Sequence, residues 1–316
     1  MGGSTYDRDV YSGSSSSGWG NSSYSASKLS SSTLDSSLLP NGKIIESKTK
    51  TPIIVVLDVT GSNINFARVV YDKMPMFYGQ IEQQGYLKDF DISFCAVGDA
   101  YTDDYPMQIC DFAKGIELDS HIEKLVLEGY GGGQEKESYE LMAYYLYKNA
   151  KFAPGSEPII FFIGDEAPYS FVNEDQARRF GIELDETAAK DPFNLLRKKV
   201  NDNVFMLLNP YNSQYFKDTI TNAWVDRLAP EHVIKIKEQK SVVDLMLGII
   251  AMKSKSRTLA GYIGDMKGRD QTQERIENVT SSLRKLSQSF LPTTVKGNIP
   301  TILKTGDDKP SGGHRL

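Results

Sequence analysis

The sequence predicts an α/β protein: a doubly wound, mostly parallel six-stranded sheet with helices on both faces. Three observations carry this expectation. Ile53-Ile54-Val55-Val56-Leu57 is a continuous apolar run, and a strand without polar alternation is one buried on both faces, as in parallel sheets. Between Lys50 and Met252, short apolar runs alternate with longer stretches of helical periodicity, the pattern of repeated strand–helix crossovers. The first run ends in Asp58-Val59-Thr60-Gly61-Ser62. This places an acid and two hydroxyls at a strand's carboxyl end, the edge where open α/β sheets bind ligands.

The elements follow in order. Residues 53–58 form the first expected strand, and a helix follows from about 63 to 84, with Pro75 expected to kink or divide it. Asp91 to Val97 reads as a second strand and Met107 to Phe112 as a third. The short link Gly98–Pro106 makes the third antiparallel to the second. A helix at about 118–128 precedes Gly131-Gly132-Gly133, and Glu137 to Asn149 reads as an amphipathic helix. Pro158 to Gly164 is a fourth strand. A longer insertion from Ala167 to about Asp191 carries helical stretches near 173–180 and 191–202. Val204 to Leu208 is a fifth strand, Asn222 to Leu228 a short helix, His232 to Ile236 a sixth strand and Val242 to Met252 the closing helix.

The organisation expected is a Ser-rich disordered tail over 1–49, one domain over 50–256, and a polar extension over 257–316 with an amphipathic helix near 271–290. Residues 1–40 are too poor in apolar side chains to offset their ordering entropy. Tyr6, Tyr11, Trp19 and Tyr24 interrupt that stretch, leaving open a passive tail or a docking segment. Ile276, Val279, Leu283, Leu286 and Phe290 recur at helical spacing, so the last helix packs back on the domain or binds another chain.

Bulk properties exclude several classes. The net charge of −5 argues against non-specific nucleic-acid binding, which needs a basic face. No apolar stretch reaches the roughly 18–20 residues of a membrane helix, and no secretory leader is visible. A cytoplasmic location is therefore expected, and the sequons at Asn21 and Asn278 then mean little. Cys95 and Cys110 are too few for a disulfide framework and read as reduced core thiols. His121, His232 and His314 follow no zinc spacing. The glycine run lacks the Gly-Lys-Ser/Thr of a phosphate loop.

Asp58, Thr60 and Ser62 offer hard oxygen donors, which suit Mg²⁺, Mn²⁺ or Ca²⁺. Asp58-Val59-Thr60-Gly61-Ser62 resembles the metal-ion-dependent adhesion motif Asp-x-Ser-x-Ser of von Willebrand factor A (vWA) domains, with Thr60 where Ser is usual. Gly131-Gly132-Gly133-Gln134-Glu135-Lys136-Glu137-Ser138 resembles the family's glycine loop, and Ile160-Phe161-Phe162-Ile163-Gly164-Asp165-Glu166-Ala167-Pro168 resembles its fourth strand. The resemblance covers roughly residues 50–256. It implies the strand order 3-2-1-4-5-6 and a metal site of Asp58, Thr60, Ser62, Gln134 and Asp165, with Asp165 reaching the ion through water. Gln134 departs from the family's Thr or Asp and brings no charge; Ser138, expected inside the next helix, is an alternative.

The function implied is a non-enzymatic, metal-dependent protein-interaction module: a partner's acidic side chain fills the cation's open position. Intracellular relatives work beside AAA+ ATPases, so an adaptor with such a partner is the expectation. Neither nucleic acid nor membrane is expected as partner. Two other readings stand beside it. One is a scaffold that kept the fold and lost the metal. The other is a Mg²⁺-dependent phosphatase resembling the haloacid dehalogenases, whose motif needs a second Asp at the place of Thr60. Asp99, Asp103, Asp104 and Glu166 are expected near the same edge, as an exposed polar turn or as groups bearing on a second cation or on partner charge.

Overall fold

The computed structural model describes residues 34–61, 63–128, 136–209 and 214–290. Ten strands and ten α-helices are assigned among them. Six strands form the central sheet: β2 (Thr51–Asp58), β3 (Phe90–Val97), β4 (Met107–Ile109), β7 (Ile159–Gly164), β9 (Val204–Leu208) and β10 (Val233–Lys235). Their hydrogen-bonded order is β10-β9-β7-β2-β3-β4. Every pairing is parallel except β3 with β4, where the short link allows a hairpin.

All residues of β2, β3, β7 and β9 are buried, because each strand side faces a separate apolar layer. Ile53, Val55 and Leu57 point into one layer; Ile54 and Val56 point into the other. The first layer is closed by α1 (Ile64–Gln83), α8 (Val242–Lys253), α9 (Leu259–Gly268) and α10 (Gln273–Ser289). The second is closed by α3 (Tyr139–Asn149), α4 (Glu174–Arg179), α5 (Glu186–Ala189), α6 (Pro192–Lys199) and α7 (Gln214–Val225). Near β4 lies α2 (Glu117–Lys124), which ends earlier than its periodicity suggested.

Several expectations need correction. α1 runs unbroken through Pro75. The lost amide hydrogen bond costs about 3 kcal/mol, and burial of Phe66, Val70, Met74, Phe77 and Ile81 along one stripe outweighs it. The helix expected from Asn222 already begins at Gln214, and the strand expected from His232 is preceded by a 3₁₀ turn at Pro230–His232. α5 and α9 were not foreseen.

Residues 34–49, assigned by composition to the tail, are structured. Leu34 and Leu38 are buried in the first layer. β1 (Ile45–Ser47) pairs in parallel with β6 (Ala150–Phe152). Ser47 Oγ and Thr49 Oγ1 donate to the carboxylate of Asp91. Tyr6, Tyr11, Trp19, Tyr24 and the segment from Pro300 lie outside the described residues.

The last helix packs in cis. Ile276, Val279, Leu283 and Leu286 join the first layer, against α8. That helix is buried around its whole circumference and apolar but for Asp244, as Val242 to Met252 are all buried. Such a helix needs cover on its outer side, and α9 and α10 provide it. At Gly248 an added Cβ would run into Leu283 and Tyr262, so the bare backbone sets how closely α10 and α9 approach. The buried pair Arg269–Asp244 ties α9's carboxyl end to α8.

Cys95 and Cys110 are free, buried thiols. Burial raises both, Cys95 to about 12. Among the described residues no helix is long and apolar enough to cross a membrane.

Candidate metal centre at the carboxyl edge of the sheet

β2 and β7 are parallel neighbours with Leu57 opposite Ile163. Asp58 therefore ends β2 beside Gly164, and Asp165 follows immediately. Asp58 is 0% exposed. Its Oδ1 accepts the Thr60 amide at 2.9 Å and the Thr60 hydroxyl at 2.6 Å. Its Oδ2 accepts the Tyr139 hydroxyl at 2.6 Å, and the Asp165 amide also donates to this carboxylate. Asn63 Nδ2 donates to the Asp58 carbonyl at 3.0 Å, holding the turn into α1.

The structure thus brings Asp58, Thr60 and Asp165 together; Ser62 and Gln134 lie outside the described residues. Ser138 is not inside α3 but at its N-cap position. Its hydroxyl accepts the Ala100 amide at 2.9 Å and so ties the β3–β4 loop to α3.

Tyr139 was missed in the sequence, as was Glu137. Both fell within an expected helix, where an acid in the first turn is ordinary. Tyr139 is wholly buried, and its ring lies edge-on to Phe162 and Trp224. Trp224 Nε1 donates to the Glu166 carbonyl at 2.8 Å. Burial, with Asp58 beside it, drives the Tyr139 phenol well above its ordinary pKa, so it stays a proton donor. Gly164 makes the contact possible: an added Cβ would collide with the Tyr139 hydroxyl and sit 2.8 Å from Asp58 Oδ2.

The loop acids are less exposed than expected for a polar turn. Asp99 and Asp103 are buried, and only Asp104 is exposed. Asp103 Oδ2 accepts the Asp99 amide at 2.7 Å. Asp99 Oδ1 accepts the Tyr101 amide and the Tyr169 hydroxyl, both at 3.1 Å. Glu137 sits on β5 (Lys136–Glu137), paired in parallel with β8 (Ala167–Pro168) just beyond Asp165 and Glu166. Glu166 is buried as well.

Six acids, Asp58, Asp99, Asp103, Glu137, Asp165 and Glu166, are therefore buried at one sheet edge. Burial raises Asp58 despite the donors from Thr60 and Tyr139. Glu137 is pushed to about 11 by burial first, then by Asp58, Glu166, Asp103 and Asp99. Burial also raises Glu140 to about 8 and Glu128 to about 7.

These residues fit a hard cation by donor chemistry: all are oxygens, and one buried carboxylate oxygen, Glu137 Oε2, has no hydrogen-bond partner. Among the described residues no Lys or Arg forms an ion pair with Asp58, Asp99, Asp103 or Glu137. Nor do three Asp, Glu, His or Cys side chains among them converge as a ready ligand set. A site here would mix carboxylates with hydroxyls, and Thr60 Oγ1 is placed to take part.

The raised acids predict a pH dependence in chelator-treated protein. Glu140 keeps its proton in the fold up to about 8 but releases it near 4.5 when unfolded. The folded state then binds the extra proton, so stability falls as pH rises through that window, by up to about 1.4 kcal/mol per pH unit. Burial lowers His121 and His232, which pulls the other way, so the comparison must be made against a variant. Glu140→Gln is expected to remove part of the fall in denaturant midpoint between pH 5.5 and 8.5. Identical pH slopes for the two proteins would contradict this.

No protein-family model matches the chain, and no curated protein matches it. Solved structures similar to it include proximal thread matrix protein 1 from the mussel byssus, with TM-score 0.43 and 12% identity, covering 65% of this chain and 49% of that one. The open conformation of the pilus adhesin SpaC from Lactobacillus rhamnosus GG gives TM-score 0.42 and 13% identity, covering 68% and 30%. The chain spans about half the length of the first and under a third of the second. Similarity this slight carries no inference about role.

Proposed function

We propose that the chain is a non-enzymatic protein-interaction module of vWA type that works through a hard divalent cation, Mg²⁺ or alternatively Mn²⁺ or Ca²⁺, at the carboxyl edge of its sheet. Asp58, Thr60 and Asp165 would hold the ion, joined by Ser62 and Gln134. A bound cation supplies an open position that takes an acidic side chain of a partner protein. An adaptor role inside a cytoplasmic assembly follows from the same reading, with an AAA+ ATPase as the partner class the resemblance suggests.

The observation that carries the reading is Asp58: a wholly buried carboxylate at a strand end with no cationic side chain among the described residues paired to it. Burying a charge without a counter-charge is costly. Tyr139 and Thr60 hold the Asp58 carboxylate in one orientation, and Gly164 leaves room for Tyr139 to do so. The phosphatase reading is disfavoured because Thr60, in the place of its general acid, donates a hydrogen bond to Asp58 and has no acidic proton to transfer at neutral pH.

Titration calorimetry with Mg²⁺ and Mn²⁺ tests this reading. Wild type is expected to give binding heat that Asp58→Ala loses; no heat from wild type removes the metal from the reading. One observation favours the metal-free scaffold instead: both Asp58 oxygens already accept hydrogen bonds from the protein. That reading requires Asp58→Ala to weaken partner binding no more than a surface substitution does.

A further inference from the structure

We propose that Glu137 is a cation-binding residue of this edge, providing a further carboxylate to the ion held at Asp58. The inference rests on the metal reading above and adds a ligand that the motif resemblance does not contain.

Glu137 differs from Asp58, Asp99 and Asp103 in one respect. Asp58, Asp99 and Asp103 have their oxygens taken up by protein donors: Thr60 and Tyr139 for the first, Tyr101, Thr102 and Tyr169 for the second, and the Asp99 amide with Thr102 for the third. Glu137 is only 2% exposed, and its Oε2 is buried with no partner among the described residues. An unsatisfied buried oxygen of this kind is costly in either protonation state.

The groups acting on Glu137 point the same way. Those that raise it, after burial itself, are Asp58, Glu166, Asp103 and Asp99, all acids. A buried carboxylate among carboxylates is relieved by a positive charge. The mini-sheet of β5 with β8 fixes Glu137 next to the strand end that carries Asp165 and Glu166, so it is held there by backbone pairing. A charged oxygen ligand from this position also supplies what Gln134 cannot. Carboxylate and hydroxyl oxygens together make an all-oxygen set of the kind hard divalent cations take.

The test uses the full chain and Mn²⁺ alone, with free Mn²⁺ read by electron paramagnetic resonance. Glu137→Gln keeps the shape and removes the charge. It is expected to weaken Mn²⁺ binding about tenfold or more, while its melting temperature in chelator stays at or above that of wild type. A purely structural Glu137 would lower that melting temperature and leave Mn²⁺ affinity unchanged. Affinity equal to wild type, with Asp58→Ala still losing the ion, overturns this inference and leaves the proposed function standing. No Mn²⁺ bound by wild type overturns both. Should Glu137→Gln not fold, Glu137→Asp carries the test: it keeps the charge on a shorter arm, so weakened Mn²⁺ binding supports the ligand role and unchanged binding overturns it.

Discussion

Gly164→Ala is expected to lower stability by about 3–5 kcal/mol and to dismantle the candidate site with it. The added methyl would overlap the Tyr139 hydroxyl and sit 2.9 Å from the Asp58 Cβ. Neither neighbour yields easily. Tyr139 is wedged edge-on between Phe162 and Trp224, and Asp58 is anchored in β2 between β3 and β7. Overpacking a close-packed interior costs about 1–3 kcal/mol. Loss of a hydrogen bond to a charged group adds about 1.5–3. For a folded body of this size the melting temperature should fall by roughly 10 °C or more. The double variant Gly164→Ala with Tyr139→Phe should fall by less than the sum of the two single changes, because the phenylalanine removes the clashing oxygen. Additive losses would show that the two positions do not share one space.

Arg269→Ala should cost a comparable amount, about 3–5 kcal/mol, in the other apolar layer. Arg269 and Asp244 are both almost wholly buried and paired at 3.3 Å. The same guanidinium reaches Tyr86 and Tyr262, and Tyr262 donates to the Asp244 carbonyl. Removing the arginine leaves the buried Asp244 carboxylate without its paired cation, with only the more distant Arg275 and Lys73 acting on it, on the helix that α9 and α10 cover. Chemical denaturation checks the size of the effect, and hydrogen exchange checks its place: amides of α9 and α10 should lose protection before those of β2. Arg269→Met combined with Asp244→Leu is expected to recover most of the loss, since a buried ion pair exchanged for apolar side chains is often near neutral. A double variant as unstable as Arg269→Ala would show that the network, and not the stranded charge, sets the cost.

The parts of the fold that were readable in the chain are those whose environment is uniform along the element. β2 and β7 lie between two apolar layers, so Ile53 to Leu57 and Ile159 to Ile163 are all apolar and the runs are unmistakable. α8 was readable for the same reason. What covers α8 was not. α10 is mostly polar, with one stripe of Ile276, Val279, Leu283 and Leu286, and such a stripe does not say whether it meets its own chain or another. Residues 34–49 were misjudged because a few anchors, Leu34, Leu38 and β1, hold a segment whose average composition is that of a tail. Pro75 was misjudged because the cost of a missing hydrogen bond is local, whereas the burial that offsets it belongs to the whole face of α1.

The candidate site divides along the same line. Asp58 and Thr60 stood out because short spacing and position at a strand end are properties of the chain itself, and Asp165 was singled out by the family resemblance. Tyr139 and Glu137 were not, since the Tyr139–Asp58 contact joins residues 81 apart in sequence, and Glu137 reads locally as an ordinary first-turn acid.

By itself the sequence determined which segments are strands buried on two sides, several of the helices beside them, and that an acid followed by hydroxyls stands at the sheet's carboxyl edge. These follow from apolar periodicity and spacing, which each segment carries alone. Only the tertiary structure decided that these acids are buried and that Glu137 joins them, that Tyr139 and Gly164 together position Asp58, and that Glu137 has a buried oxygen with no partner among the described residues. Burial and like-charge proximity are relations between distant segments, and they exist only once the layers have packed.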